Sequence, residues 1–260
     1  MIRYILDNDV TVQTYKSTQF KGGLIMNFEE TMKALEEMGT EQTKKTFLRH
    51  GAKEPFFGVK IGDMKKLVKN VKKDQDLALA LFDSGNSDAM YLAGLSINPK
   101  LMTKEQLQNW VSKVHWYMIS ESIVGAVAAE SPFAIELARE WLKSDEELIE
   151  VCGWSVYTHY LSITPDEDID KNEVIELLNY VEKNIHTSKN RVRYVMNSFV
   201  IAVGSFVPSL TVDAMIVAKK IGKVSVDVGN TACKVPLATD YIEKVESKGK
   251  IGAKKKTCIC

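Results

Sequence analysis

Proline and glycine are scarce in this chain, six and fifteen in 260 residues, too few for a turn-rich all-β protein. Cysteine is scarcer still. Cys152, Cys233, Cys258 and Cys260 make no CxxC pair and no cluster with histidine, which excludes the common zinc sites and leaves reduced cytosolic thiols as the expectation. The final Cys258-Ile259-Cys260 is no prenylation box. No apolar run approaches the ~20 residues of a membrane span, so no membrane partner is expected. Net charge is missing as well: Lys+Arg and Asp+Glu both total 34. A nucleic-acid role would therefore rest on charge segregated along the chain. Ser-His-Asp order, a Gly-rich phosphate loop and HExxH are all absent, which removes the common hydrolase, kinase and metalloprotease readings and leaves no metal or organic cofactor to expect.

What is present is helix after helix. Residues 1–25 are polar and aperiodic, and read as a leader or an extension without a secretory apolar core. Met26-Asn27-Phe28 opens the folded part. Helix-cap signals recur: Asn27, Thr40, Asp74, Asn86, the box Thr103-x-x-Gln106, Ser131-Pro132, Ser144 and Asp170. The apolar spacing predicts some thirteen helices of roughly 10–18 residues, the last from Cys233 to Glu246. Val224 to Val228 reads as a short strand or an extended turn. Residues 247–260 form a basic tail around Lys254-Lys255-Lys256, expected to act as a solubilising or electrostatic tether.

Helices pair at spacings of about 30–45 residues, within the range of helical repeats. The fold expected is all-α: over residues 26–246, a right-handed α-solenoid of antiparallel HEAT-like helix pairs, with its concave face as binding surface. A compact bundle is the alternative.

The middle of the chain, Trp110 to Tyr160, carries tryptophans, histidines, Glu121 and Gly153-Trp154 in helices where a scaffold would carry Leu and Ala. On an ideal helix Ser120 stands above Trp116, and Glu121 lies about 140° away from that tryptophan. A carboxylate inside an apolar helix needs either a charged partner or a chemical job. Asn190-Arg191-Val192-Arg193-Tyr194 opens another helix, with Asn197 one turn beyond Arg193 on the same face. Arginines there suit a phosphate or a carboxylate of the neighbouring repeat. Lys65, Lys66 and Lys69 line one side of a basic helix, either as phosphate contacts or as a solvated face. His115 and His159 are isolated and read as structural, and Trp110 and Trp141 as core.

Several of these stretches together are similar to the DNA alkylation repair proteins of the AlkD type, which are HEAT-like-repeat DNA glycosylases. They are Gly58-Val59, Trp116, Cys152-Gly153-Trp154, Asn190-Arg191-Val192-Arg193-Tyr194-x-x-Asn197 and Thr231-Ala232-Cys233-Lys234-Val235-Pro236. The resemblance spans roughly residues 28–256 and points to a bacterial branch. It implies duplex DNA held in a basic concave groove and hydrolysis of the N-glycosidic bond of cationic N3- or N7-alkylated purines. A carboxylate and aromatic faces would there stabilise the positive charge of the transition state.

This chain departs from the family pattern where the chemistry should be. The aspartate that family members carry one turn after the tryptophan matching Trp116 is here Ser120. The family's arginine pair before Gly153-Trp154 is Glu150-Val151, and its second site tryptophan is Ser198. If the chain is active, Trp116 lines the site, Glu121 supplies the carboxylate after local rotation of the helix, and Arg191, Arg193, Asn197 and the three lysines hold DNA. If it is not, it is a scaffold for protein or structured nucleic acid, and an ion pair to Glu121 would favour that reading.

Overall fold

The computed structural model describes residues 26–259, so the expected leader at 1–25 lies outside the described residues. Among the described residues there are thirteen α-helices: α1 (Phe28–Met38), α2 (Glu41–Arg49), α3 (Ile61–Val71), α4 (Gln75–Asp83), α5 (Ser87–Ser96), α6 (Lys104–Ser112), α7 (Tyr117–Ala129), α8 (Ala134–Trp141), α9 (Glu147–Ile163), α10 (Lys171–Asn184), α11 (Asn190–Phe206), α12 (Thr211–Ile221) and α13 (Ala238–Glu246). Among the described residues there is no strand, and 222–237 runs extended without pairing. No single described helix is long and apolar enough to cross a membrane.

From α5 onward, successive inner helices α5, α7, α9, α11 and α13 stack on one another, with α8, α10 and α12 beside them in an outer layer. This is the HEAT-like superhelix. Composition explains the division of layers. α9 and α11 are buried around most of their circumference, as inner helices gripped on both sides must be. The outer α8 shows only a stripe of Ala134, Leu137, Ala138 and Trp141 to the core. Aromatic side chains bridge repeats. Phe82 and Trp110 stack at 3.9 Å and 4° between α4 and α6, and Trp141 Nε1 donates to Gln108 Oε1 at 3.1 Å between α8 and α6.

Most cap signals are where the sequence put them, but Ser131 and Ser144 accept the amides of Phe133 and Glu146 just before their helices and do not cap them. Asn27 and Thr103 form capping boxes, and Asp74, Asn86 and Asp170 cap their helices. Two further expectations need correction. The last helix begins at Ala238, because Pro236 disfavours helical backbone at Val235 before it, and 233–237 is extended instead. The basic tail is docked, not free. Gly252 N donates to Ser205 O at 2.9 Å, Lys255 N to Ser162 O at 2.8 Å, and Lys254 Nζ pairs with Asp166 at 3.0 Å. Cys258 ends buried against Ala126 and Glu130. The tail therefore straps α11, α9 and α7 together.

Candidate functional site

α7 is not a regular helix. Its turn Ser120–Val124 is wide, closed by Gly125 N donating to Ser120 O five residues back. One extra residue in a turn rotates the downstream side chains relative to an ideal helix. Carbonyls of such a turn are open to outside donors, and α9 supplies two. His159 Nε2 donates to Glu121 O at 3.0 Å, and Cys152 Sγ to Ser120 O at 3.5 Å. α9 gets this close because Gly125 has no side chain: a Cβ there would stand 2.6 Å from that of Ser155.

The result separates Ser120 from Glu121. Ser120 is fully buried and its hydroxyl turns back towards Trp116 O. Glu121 reaches across to α11, where the Arg191 guanidinium grips its carboxylate with both Nε and Nη2, the latter at 2.8 Å. The guanidinium carbon lies 3.8 Å from the Tyr117 ring centre and 4.0 Å from that of Tyr194. A cation between two aromatic faces and a bidentate carboxylate is held on every side. Burial lifts the Glu121 carboxyl above its ordinary value, against the opposing pull of Arg191. Arg191 is held above its own ordinary value by Glu121, against burial. Burial also raises the Tyr117 and Tyr194 phenols, so both rings stay neutral.

Trp116 is 3% exposed. Its ring packs on Phe47 at 5.1 Å and its Nε1 donates to His50 O at 2.8 Å, tying α7 to the end of α2. His50 Nδ1 in turn meets the Tyr117 hydroxyl at 3.0 Å.

Over this stack opens a cleft of about 580 Å³, walled by residues of α2, α7, α9 and α11 and by the 227–233 segment. The α11 motif explains that last wall. Asn190 exchanges two 2.8 Å bonds with the main chain of Asp227, Arg193 Nη1 donates to Ser225 O at 3.0 Å, and the buried Asn197 donates to Pro236 O at 2.9 Å. The segment 222–237 is thereby tied along α11 and carried over to α2. There Gly229, at φ +65°, leaves a Cβ only 3.1 Å from Arg49 O.

The acids of the cleft are occupied. Glu147 accepts the Arg191 amide at 2.6 Å, and Asp227 the Gly229 amide at 2.8 Å. Arg49 and Lys53 on the opposite wall form no ion pair among the described residues, Arg49 bonding only Thr46. Charge is segregated along the chain too. Cations outnumber anions in 26–73 and in 191–256, and anions outnumber cations in 74–190.

Of the residues singled out by sequence, the structure brings Trp116, Glu121 and Arg191 to one place. Ser120 faces the core. Arg193 and Asn197 hold the 222–237 segment instead of facing the cleft. Lys65, Lys66 and Lys69 stand exposed on α3 and none lines the cleft; Lys66 pairs with Asp63 at 2.6 Å. The sequence reading missed Tyr117, Tyr194 and His50. The signal for Tyr194 was its place three residues after Arg191, on the same helix face. It also missed Asp88, whose carboxylate accepts the amides of Phe57, Gly58 and Val59 at 2.6–3.0 Å and so fixes the loop before α3. Among the described residues no three His, Cys, Asp or Glu side chains converge as a metal would need.

A HEAT-like superhelix with an aromatic-lined inner cleft defines the class of protein. The chain belongs to the family of DNA alkylation repair enzymes, which it matches over residues 31–221. It is 34% identical over 232 residues to Lmo0209 of Listeria monocytogenes, covering 87% of this chain and 100% of that one. It is 32% identical over 230 residues to Lin0241 of Listeria innocua, covering 86% and 99%. Among solved structures it is similar to one described as "a new family of proteins related to the HEAT-like repeat DNA glycosylases with affinity for branched DNA structures". That likeness has a TM-score of 0.83 and 35% identity, over 90% of this chain and 100% of the other.

Proposed function

We propose that this protein binds branched DNA and does not cleave the N-glycosidic bond. The observation that carries the reading is the Glu121–Arg191 pair. Stabilising a cationic sugar requires a carboxylate free to face it. The carboxylate nearest Trp116 along the chain is neutralised by two bonds from a guanidinium that itself fills the space between two tyrosines. Serine at position 120 carries no charge and points into the core. Trp116 lines the cleft but, at 3% exposed, offers little of its face to a substrate.

The same geometry argues against a linear duplex lying along an open concave groove. The 222–237 segment crosses that side to reach α2. A junction, whose arms leave in different directions, can instead be met by the basic first and last repeats. Affinity for branched DNA in the similar solved structure supports this choice.

Gel-shift titration of four-way, three-way and linear DNA over a range of NaCl tests it, alongside an assay for 7-methylguanine and 3-methyladenine release. Tighter, salt-sensitive binding of the junctions with no base release is expected. Release that collapses in Glu121→Gln would establish a glycosylase with a relocated carboxylate instead. Absence of any DNA binding would move the search to protein partners.

A further inference from the structure

A second cleft, of about 670 Å³, opens between α8 and α10, on the other side of the ridge made by the first turns of α9 and α11. Leu142, Leu177 and Tyr180 supply its apolar surface, with Trp154 at its floor. Tyr180 is 49% exposed, yet its ring lies 6.1 Å from Trp154 and only 27° off parallel, an open aromatic face with a firm backing. Trp154 itself is 1% exposed, braced behind by Phe199 at 5.3 Å. Its indole N–H has no acceptor among the described residues. Gly153 fixes the depth of the cleft, since a Cβ there would stand 2.8 Å from Leu142 N. Charge is balanced: Lys189 pairs with the buried Glu150 at 2.8 Å, and Lys143 and Asp145 both line the cleft.

A neutral cleft with a stacking face does not suit a run of phosphates. It suits the flat, uncharged part of a nucleotide, with one exposed lysine within reach of the backbone. The ridge that bounds it also bounds the inner cleft through Glu147 and Asn190, so a strand leaving that cleft arrives here. We infer that the cleft at Trp154 and Tyr180 receives an unpaired nucleobase of the bound DNA, stacked on Tyr180. This rests on the DNA-binding reading above.

The test compares a flush four-way junction with the same junction bearing a short single-stranded overhang ending in 2-aminopurine. Wild type, Tyr180→Ala and Tyr180→Phe are titrated with each. The overhang should tighten wild-type binding about tenfold, the order expected for one stacked base. Tyr180→Ala should lose that gain and Tyr180→Phe keep it, while all three bind the flush junction alike. Quenching of 2-aminopurine should follow the same pattern. An overhang without effect, or a gain that survives Tyr180→Ala, overturns the inference. If no junction binds at all, the branched-DNA reading has failed and the cleft is judged on the overhang strand alone. Quenching by wild type and Tyr180→Phe but not by Tyr180→Ala then supports it, and no quenching rejects it.

Discussion

His159 Nε2 donates to the main-chain oxygen of Glu121 at 3.0 Å, and this bond clamps the wide turn of α7 to α9. The imidazole must be neutral at its other nitrogen or lose solvation it cannot recover, and burial pushes its pKa below the ordinary value. A lowered histidine pKa means that the unfolded chain takes up the proton first. Stability is then full above about pH 6.5 and falls as the pH drops from there to the lowered native value. Urea unfolding between pH 7.5 and 5 should show this loss, with a slope of up to about 1.4 kcal/mol per pH unit. His159→Gln, whose amide can make the same bond, should flatten the slope in that window. An unchanged slope would assign the pH dependence to another group.

The buried pair should behave asymmetrically. Arg191→Ala leaves the Glu121 carboxylate enclosed without its partner, and should cost about 3–5 kcal/mol. Combining Glu121→Gln with Arg191→Met removes both charges and keeps most of the volume between the tyrosines, so it should cost clearly less. Urea midpoints of the two variants decide this. Equal losses would show that packing of the guanidinium, not the pairing of charges, holds the site.

The helical order and the caps were legible because each rests on local chemistry: an Asn, Asp or Thr side chain accepting an amide two or three residues on. The inner layer was legible too, from helices such as α9 whose apolar residues run around most of the circumference. Glu121 was visible as an anomaly, but its direction was not. An ideal 100° step places it away from Trp116, and nothing local in Ser120-Glu121-Ser122 announces an extra residue in the turn. That turn is set by α9, through Gly125, Cys152 and His159, and so is a tertiary effect. The roles of Arg193 and Asn197 were hidden for a similar reason. Their partners, Ser225 and Pro236, are main-chain carbonyls about thirty or more residues away, and a carbonyl has no signature in sequence. The tail misled because its lysines read as solvated charge, whereas Lys254 is spent on Leu161 O and Asp166.

The last residues of the docked tail, Thr257 to Ile259, hang on one carboxylate. Glu130 accepts from the Thr257 hydroxyl and from the amides of Cys258 and Ile259, at 2.7 and 3.3 Å for the amides. Burial raises its pKa, but these bonds outweigh that and leave it below the ordinary value. The stabilisation is therefore present above about pH 4.5 and lost as the pH falls through the lowered value. Glu130→Ala should cost about 1–3 kcal/mol and free the end of the tail, so that trypsin cuts at Lys256, beside the freed residues, before the body of the protein. Trypsin cutting wild type there equally fast would show that the tail is not held.

The 222–237 segment is tied to α11 by side chains that can be removed without touching the core. In Asn190→Ala/Arg193→Ala the three bonds to Asp227 and Ser225 are lost, while Asn197 still holds Pro236. Each bond is worth about 1 kcal/mol net at most sites, and these are exposed, so global stability should fall only slightly. Amide exchange across 225–229 should accelerate, reporting that the segment has come away from α2. Linear duplex should then gain affinity relative to a four-way junction, because the side of the superhelix facing Arg49 is no longer crossed. If exchange accelerates and the duplex gains nothing, the crossing segment is not what disfavours linear DNA, and the preference must lie in the charge of the first and last repeats.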